Sequence, residues 1–265
     1  MSSFALITGA SSGIGAAYAD RLAARGADLV LVARRLDRLE ALAARLAKTY
    51  GRKVEVLSAD LGKSADLARV ADVLRQRDDI EILVNNAGLG ALGPTAAADP
   101  EAVEELVRIN VLALTRLCLA VSPRFAQRKS GTIINIGSII GLMPAPGGAA
   151  YSGSKAYVLN FSRSMQMEFA ETNVRVQAVM PGPVRTEFFG DGPSPFPDHL
   201  FMTAETLVDT ALTALDQGEL VCFPTLNDIA VWNDLENARR IMSKAVAQSG
   251  IPAARYAPAK AHAGA

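Results

Sequence analysis

The chain has 265 residues, half of them apolar and one fifth charged, which suits a globular protein with a large core. Lysine plus arginine equals aspartate plus glutamate at 27 each, so the basic excess typical of nucleic-acid or anionic-membrane binding is absent. Two cysteines and two histidines are too few for a metal site, and we expect Cys118 and Cys222 to be buried thiols. A Ser-His-Asp hydrolase would have to depend on His199 or His262.

Short β-like runs alternate with longer amphipathic segments along the chain. The runs that predict strands are rich in Val, Ile and Leu, and they are Phe4–Thr8, Asp28–Ala33, Lys53–Ser58, Ile80–Val84, Thr132–Ile136, Val174–Val179 and Leu220–Phe223. Continuous apolar strands are typical of parallel sheets that are covered on both faces. The alternation therefore predicts an α/β fold: a doubly wound, mainly parallel seven-stranded Rossmann-type sheet with helices on both faces, in one domain over residues 1–250.

Helix boundaries are marked by specific residues. Apolar positions four apart from Ile14 to Leu22 predict a helix that Gly26 ends at its C′ position. The pair Asp99-Pro100 predicts an N-cap followed by proline at the first helical position. A long helix is predicted from Ala150 to Thr172.

One uncharged segment, Ser130 to Ser154, is long enough to suggest a membrane span. Asn135, Pro144, Pro146 and several glycines argue against such a helix, and we predict a buried strand followed by a loop. The apolar run near the N-terminus starts at Phe4 and ends in a glycine loop, so no signal peptide is predicted. We expect a soluble, cytoplasmic protein.

Two C-terminal segments depart from the strand–helix order. Residues 186–202 are rich in proline and phenylalanine, and the residues concerned are Pro193, Pro195, Pro197, Phe188, Phe189, Phe196 and Phe201. We predict a long substrate loop there, with a slight preference for an apolar or aromatic substrate, although the rings could equally pack onto the core. Residues 251–265 are rich in Ala and Pro and predict a loosely held tail.

A glycine-rich sequence, Thr8-Gly9-Ala10-Ser11-Ser12-Gly13-Ile14-Gly15, joins the first predicted strand to the first helix. Glycines let backbone N–H groups approach a ligand, and a helix N-terminus supplies partial positive charge, so the segment favours a pyrophosphate. Its G-x-x-x-G-x-G spacing differs from the G-x-G-x-x-G of the commoner dinucleotide fingerprint. The alternative is a tight strand-to-helix turn without a ligand.

The end of the second strand reads Val32-Ala33-Arg34-Arg35. An acidic residue at this place bonds the ribose of NAD, whereas an arginine accommodates the 2′-phosphate of NADP. A guanidinium offers phosphate a planar fork of donors, so Arg34 and Arg35 predict NADP(H), with NAD(H) left open. The alternative is a pair of ordinary surface arginines at the start of a helix.

Tyr151 and Lys155 are four residues apart in the long predicted helix, which places both on one face. A tyrosine pKa near ~10 is too high for proton exchange at neutral pH, and a nearby ammonium should lower it. A tyrosine and a lysine also often share a helix face for packing and solvation alone. Ser138 strengthens the interpretation because it follows the fifth strand at its carboxyl end, where open α/β sheets bind ligands. Its hydroxyl could polarise a substrate oxygen or simply close a turn.

These motifs together resemble the short-chain dehydrogenase/reductase family. They follow the family's order and intervals over roughly the first 190 residues, and they are Thr8 to Gly15, Asn85-Asn86-Ala87-Gly88, Asn110, Ser138, Tyr151, Lys155 and Pro181-Gly182-Pro183-Val184-Arg185-Thr186. The remaining C-terminal part matches only in its general plan of strands and helices.

The resemblance implies a set of cofactor contacts. Asp60 and Leu61 would flank the adenine, with Asp60 accepting from its amino group, and Thr186 would hold the nicotinamide carboxamide. Asn86, Ala87 and Gly88 would form the wall beneath the adenine ribose. The other implied cofactor-binding residues are Gly9, Ser11, Ser12, Gly13, Ile14, Gly15, Arg34, Arg35, Tyr151, Lys155, Pro181, Gly182 and Val184.

By the same resemblance, Lys155 bonds the nicotinamide ribose, and Asn110 kinks its helix and holds a water that relays protons from Lys155. The alternative for Asn110, an amide in an apolar helix, is simple buried hydrogen bonding. The residues predict a hydride transfer between NADP(H) and a carbonyl or secondary alcohol, with Tyr151 as general acid/base and Ser138 assisting. No metal is expected.

Two other functions stay open at this point. One is an NAD-linked sugar or hydroxysteroid dehydrogenase, which Arg34 disfavours, and the other is a nicotinamide-binding regulator without turnover. The partner is expected to be a small carbonyl or alcohol substrate, with no nucleic acid and no membrane. The resemblance also implies a homodimer or homotetramer that associates through the long helices before and after Ser138.

Overall fold

The computed structural model describes residues 3–90, 93–144, 146–189, 196–247 and 250–256. Compactness divides the chain into two units, Met1–Thr225 and Leu226–Ala265, which are described separately. The predicted single domain over 1–250 therefore stays a prediction. Pro193, Pro195, His262 and the end of the predicted tail, residues 257–265, lie outside the described residues.

Seven strands of the described chain form one sheet in which every neighbouring pair is parallel. The strands are β1 (Phe4–Thr8), β2 (Asp28–Ala33), β3 (Val54–Ser58), β4 (Ile80–Asn85), β5 (Ser130–Ile136), β6 (Asn173–Val179) and, after a short pair described below, β9 (Val221–Cys222). Their order is β3-β2-β1-β4-β5-β6-β9. This order reverses direction at β1, so the predicted doubly wound sheet is confirmed.

The apolar character of the strands explains their burial. Every residue of β1 and β2 is buried, as expected for central strands with helices on both faces. Two apolar clusters, one on each side of the sheet, form the core, and Leu31 belongs to one of them and Val30 to the other. The predicted buried thiols are confirmed, because both Cys118 and Cys222 are free and buried.

Helices connect the strands within the first unit. They are α1 (Gly13–Ala24), α2 (Leu36–Tyr50), α3 (Ser64–Gln76), α4 (Pro100–Val107), α5 (Leu114–Arg128), α6 (Ala149–Glu168) and α7 (Ala204–Asp216). Gly26 follows α1 with a φ of +93°, and the Asp99 side chain accepts from the Glu101 amide at the start of α4, so both predicted caps are confirmed. The helix predicted to reach Thr172 ends instead at Glu168, because a turn with a Thr172 N–H to Phe169 C=O bond leads into β6.

The helical run Pro100–Arg128 comprises α4, a π-helical turn over Arg108–Ala113, and α5. By length and apolar composition it could cross a bilayer, but half of its most apolar window is buried inside the protein. Core helices meet the same two criteria, so this is weak evidence for a membrane span. The uncharged segment that first suggested one contains β5 and the start of α6, as predicted.

A second, two-stranded parallel sheet within residues 184–203 was not predicted. Strands β7 (Val184–Arg185) and β8 (Met202–Thr203) bracket the predicted substrate loop and pair with each other. Short 3₁₀ turns at Glu187–Phe189 and Asp198–Leu200 lie between them. The ends of the loop are therefore held by backbone hydrogen bonds.

The second unit contains α8 (Ala230–Val246) and a 3₁₀ turn at Ala254–Tyr256. The Asp228 carboxylate accepts from the Ala230 amide at the start of α8. On that helix Arg239 pairs with Glu236, and its guanidinium lies over the Trp232 ring.

Candidate functional site

The glycine-rich segment forms a tight turn between the end of β1 and the N-terminus of α1. Gly9 and Gly13 have φ angles of +64° and +53°, in the left-handed region that favours glycine. A Cβ on Gly15 would lie 2.3 Å from the Gly9 carbonyl oxygen, so no larger residue fits there without moving the loop. The backbone is thus free to approach a ligand at the positive end of α1.

Thr8 and Asn86 join this loop to the end of β4. The Thr8 hydroxyl accepts from the backbone amides of Asn86 and Ala87 and donates to the Val84 carbonyl. The Asn86 amide donates to the carbonyls of Thr8 and Gly9 at 3.0 and 3.2 Å. Asn86 therefore fixes the shape of the glycine loop, a task the sequence did not suggest for it.

The two arginines after β2 have different surroundings. Arg35 donates to the Ser11 hydroxyl from Nε and Nη2, and to the Ser12 hydroxyl from Nη2 at 2.8 Å. The Arg34 side chain is 61% exposed, with a carboxylate oxygen of Glu105 at 4.0 Å. Arg35 is thus the guanidinium that lies against the glycine loop, while the Arg34 side chain is largely exposed beside Glu105.

Asp60 and Leu61 lie after β3 at the same edge of the sheet. The Asp60 carboxylate accepts from the Gly62 amide at 3.0 Å, and its backbone N–H donates to Asp66. Leu61 is buried in the core. This geometry leaves Asp60 with a second carboxylate oxygen for a ligand.

Ser138 follows β5, where the sheet edge is completed by the segment after β6. Its backbone is extended, and its hydroxyl is within 3.4 Å of the Pro181 carbonyl and the Ile140 amide. The Ile139 amide donates to the same Pro181 carbonyl at 3.0 Å. Ser138 and Pro181 are therefore brought together, as their predicted roles at one site require.

Tyr151 and Lys155 lie on the same face of α6, with Lys155 Nζ 5.6 Å from the centroid of the Tyr151 ring. Lys155 is buried and donates to the Ile136 carbonyl at 2.9 Å, so it links α6 to the end of β5. Burial lowers the pKa of Lys155 to about 8.

Burial has the opposite effect on Tyr151. It raises the pKa of Tyr151 to about 12, and the hydrogen bond with Ser138 opposes this only in part. The expected lowering of this pKa is therefore wrong, because burial of the phenol is the largest cause and it disfavours the charged phenolate. The Tyr151 hydroxyl is a protonated hydrogen-bond donor at neutral pH.

Asn110 occupies the π-helical turn between α4 and α5. Its Oδ1 accepts from the Leu89 amide at 2.8 Å, while its Nδ2 donates to the Leu89 carbonyl and to Ser154. A Cβ on Gly88 would lie 3.2 Å from Asn110 Oδ1 and 3.7 Å from Lys155 Nζ. Asn110 thus holds the segment after β4 beside α6, and the widened turn accommodates its amide.

Residues after β7 contact both halves of the site. A Cβ on Gly13 would lie 2.8 Å from the Thr186 methyl carbon, so Thr186 packs directly on the glycine loop. The Phe188 ring lies 5.7 Å from that of Tyr151, and a Cβ on Gly90 would come within 2.7 Å of Phe188.

Two residues that make contacts at this site, Glu187 and Gly90, were not identified from the sequence. Glu187 pairs with Arg35 at 2.7 Å and also with Arg38, and Gly90 has no side chain to obstruct Phe188. Neither residue belongs to a periodic pattern or a motif, so no sequence signal could have identified them.

The arrangement fits a dinucleotide. Gly9, Gly13 and Gly15 form a cradle that any Cβ would fill, at the N-terminus of a helix whose Ser12 hydroxyl accepts from Arg35 rather than capping the helix. Two further residues with implied cofactor contacts, Gly182 and Val184, lie in the segment after β6 that also contains Pro181. Val184 is the first residue of β7.

Comparison with known proteins extends over most of the chain. A short-chain dehydrogenase from Sphingobium yanoikuyae in complex with NADPH has 45% identity and a TM-score of 0.92, covering 96% of this chain and 100% of that one. A bulky-bulky ketone specific alcohol dehydrogenase from Comamonas testosteroni has 41% identity and a TM-score of 0.89, covering 97% and 99%.

Curated relatives are longer than the region they share with this chain. The human 17-beta-hydroxysteroid dehydrogenase type 3 is 37% identical over 188 residues, which are 70% of this chain and 60% of that protein. A rat relative, 35% identical over 67% of this chain and 54% of its own length, is named an inactive hydroxysteroid dehydrogenase-like protein. The family model for short chain dehydrogenases matches residues 3–193. The chain therefore belongs to the short-chain dehydrogenase/reductase family of oxidoreductases.

Proposed function

We propose that this chain is an NADP(H)-dependent enzyme that interconverts a ketone or aldehyde and the corresponding alcohol. One observation carries the proposal: Tyr151 lies one helical turn from Lys155 on α6, Ser138 acts on its hydroxyl, and Lys155 is bonded to the end of β5 at the sheet edge that holds the glycine loop. A nicotinamide bound there supplies the hydride for reduction or accepts it in oxidation.

The side chains divide the remaining chemistry among them. In reduction, Ser138 Oγ and Tyr151 Oη hydrogen-bond the carbonyl oxygen, and Tyr151 gives its proton to that oxygen as the carbonyl carbon gains a hydride. The Lys155 ammonium stabilises the phenolate left behind and is placed to bond a ribose hydroxyl. A raised tyrosine pKa keeps the hydroxyl protonated at neutral pH, as reduction requires, whereas oxidation needs the proton removed first and is expected to be faster at high pH.

The tyrosine role is tested by replacing Tyr151 with Phe. We expect loss of at least ~100-fold in kcat, the lower range for general acid–base catalysis, with NADPH affinity unchanged by fluorescence titration. Tyr157→Phe is the matched control, because Tyr157 also belongs to α6 and its hydroxyl bonds Thr115 on α5 rather than Ser138. Undiminished turnover in Tyr151→Phe would contradict the proposal, and cofactor binding without turnover by the unmodified protein on a broad panel would favour a regulator.

The preference for NADPH is supported by the guanidinium groups at the end of β2. Arg35 lies on Ser11 and Ser12, and the exposed Arg34 has room to reach a 2′-phosphate. The related protein with 45% identity was solved with NADPH. We expect Arg34→Ala and Arg35→Ala to weaken NADPH about tenfold each and to leave NADH within about twofold, since each removes a charge-assisted bond to phosphate. Tighter binding of NADH by the unmodified protein would contradict the preference.

For the substrate we propose a ketone that carries two bulky apolar groups. Ile139 follows Ser138, Phe188 packs on Tyr151, and both side chains keep at least two fifths of their surface exposed. The relative from Comamonas testosteroni is named a bulky-bulky ketone specific alcohol dehydrogenase. NADPH consumption over a series of aryl alkyl and diaryl ketones tests this, and a preference for small keto-acids would contradict it.

We also propose association of two or four copies through α5 and α6. Leu119 on α5 is 61% exposed and Met167 on α6 is 80% exposed, so both helices offer apolar surface to a partner copy. Sedimentation of the protein and of Leu119→Glu is the test. A monomeric unmodified protein would contradict the proposal.

A further inference from the structure

Three consecutive residues after β7 contact three different parts of the site. Thr186 packs on Gly13, Glu187 pairs with Arg35 and Arg38, and Phe188 packs on Tyr151. The Phe188 amide also donates to the Thr186 hydroxyl at 3.3 Å, so the three residues form one short turn. Glu187 and Phe188 belong to one 3₁₀ turn, and Thr186 directly precedes it.

Glu187 occupies the donors that an anionic ligand needs. Arg35 donates to the loop serines through Nε and Nη2, and its remaining nitrogen, Nη1, lies 2.7 Å from Glu187 Oε2. The other oxygen of Glu187 accepts from Arg38. A carboxylate bridging two guanidiniums is the arrangement that a phosphate monoester at the same place would adopt. Hydrogen bonds from Arg35 and Arg38 lower the pKa of Glu187 to about 2, so Glu187 carries its negative charge across the physiological range.

We propose that Glu187 is a built-in competitor for the 2′-phosphate site, so that NADPH must displace it from Arg35 and in doing so moves Phe188 away from Tyr151. This rests on the NADP(H) assignment made above. The competition makes Glu187 a residue that sets both the affinity for the phosphorylated cofactor and the access of substrate to Tyr151. NADH, which has no 2′-phosphate, leaves the bridge intact and Phe188 over the tyrosine.

The first test is binding of cofactor fragments, which requires no turnover. Adenosine 2′,5′-bisphosphate and 5′-AMP are titrated calorimetrically into the unmodified protein, Glu187→Gln and the control Asp198→Asn. Asp198 pairs with Arg185 in the same loop at 3.4 Å and is also exposed, so it matches Glu187 in charge and setting. We expect Glu187→Gln to tighten the bisphosphate about fivefold at low salt, less at high salt, with 5′-AMP and Asp198→Asn within about twofold.

The outcomes separate the two proposals. An unchanged or weakened bisphosphate affinity in Glu187→Gln overturns the competition, since it would show that Glu187 is neutral or instead positions Arg35 for the phosphate. If the bisphosphate binds no more tightly than 5′-AMP, both to the unmodified protein and to Glu187→Gln, the competition and the NADP(H) assignment are both overturned. Neither result depends on Tyr151, so the proposed catalysis stands or falls by its own test.

The second test follows Phe188 directly. Trp232 is the one tryptophan of the sequence, so Phe188→Trp adds a reporter whose signal is obtained by subtracting the emission of the parent protein. We expect the bisphosphate to shift that emission and 5′-AMP to leave it unchanged, because only the former carries the competing phosphate. Binding of the bisphosphate with no change at position 188 overturns the coupling to Tyr151.

Discussion

The buried ammonium of Lys155 has a measurable thermodynamic consequence. Burial lowers the pKa of Lys155 from 10.5 to about 8, a difference of about 2.5 pH units. At ~1.36 kcal/mol per unit, the charged lysine costs the folded protein about 3 kcal/mol at neutral pH. Between pH 8 and 10.5 the unfolded chain keeps a proton that the folded chain has released, so this cost falls and stability rises with pH in that window.

Lys155→Met removes the titration and keeps most of the volume. From about pH 7 to about pH 9.5, the free energy of unfolding of the unmodified protein should rise relative to the variant by about 2 kcal/mol. The variant also loses the bond to the Ile136 carbonyl, which adds an offset that does not depend on pH. Buried Cys118 and Cys222, whose pKa values burial raises to about 12, titrate identically in both proteins and cancel in the difference.

Urea unfolding of both proteins in the absence of cofactor, at several pH values, measures this difference. Lys48→Met, at an exposed position of α2, is the matched control and should run parallel to the unmodified protein. A difference between the unmodified protein and Lys155→Met that stays flat within about 0.5 kcal/mol over this range would refute the reasoning, because the lysine would then titrate alike in both states.

Three further outcomes are expected. Gly15→Ala should lower the free energy of unfolding by about 1–3 kcal/mol and weaken NADPH binding, because the new methyl group would lie 2.3 Å from the Gly9 carbonyl; unchanged urea midpoint and affinity would contradict this. The same substitution at Gly153, on the open face of α6, should instead stabilise the protein by about 0.5–1 kcal/mol in the same assay, and a loss would point to a contact there. In the cofactor-free protein, the difference in phenolate absorbance between the unmodified protein and Tyr151→Phe reports the ionisation of Tyr151. We expect no difference until the pH exceeds ~10, and a difference at pH 8 would contradict the raised pKa.

Local sequence was sufficient for the seven-stranded sheet and for several helix ends, but not for the small β7–β8 sheet. Buried runs such as Phe4–Thr8 and Asp28–Ala33 are apolar at every position because both faces of a parallel strand are covered, and this is visible without any tertiary contact. Helix ends at Gly26 and Asp99 depend on backbone conformation and capping within a few residues, so they too are local. The glycine loop and the Tyr151–Lys155 spacing are likewise visible within short stretches of the sequence.

The sequence by itself therefore determined the sheet, its helices and the residue types that converge at its carboxyl edge. The tertiary structure decided how these residues act on one another. It placed Arg35 rather than Arg34 on the loop serines, Asn86 on the loop carbonyls and Glu187 across two arginines. It also reversed the expected direction of the Tyr151 pKa shift, since that direction depends on how deeply the phenol is buried. Those quantities arise from contacts between residues far apart in the chain, which no local pattern encodes.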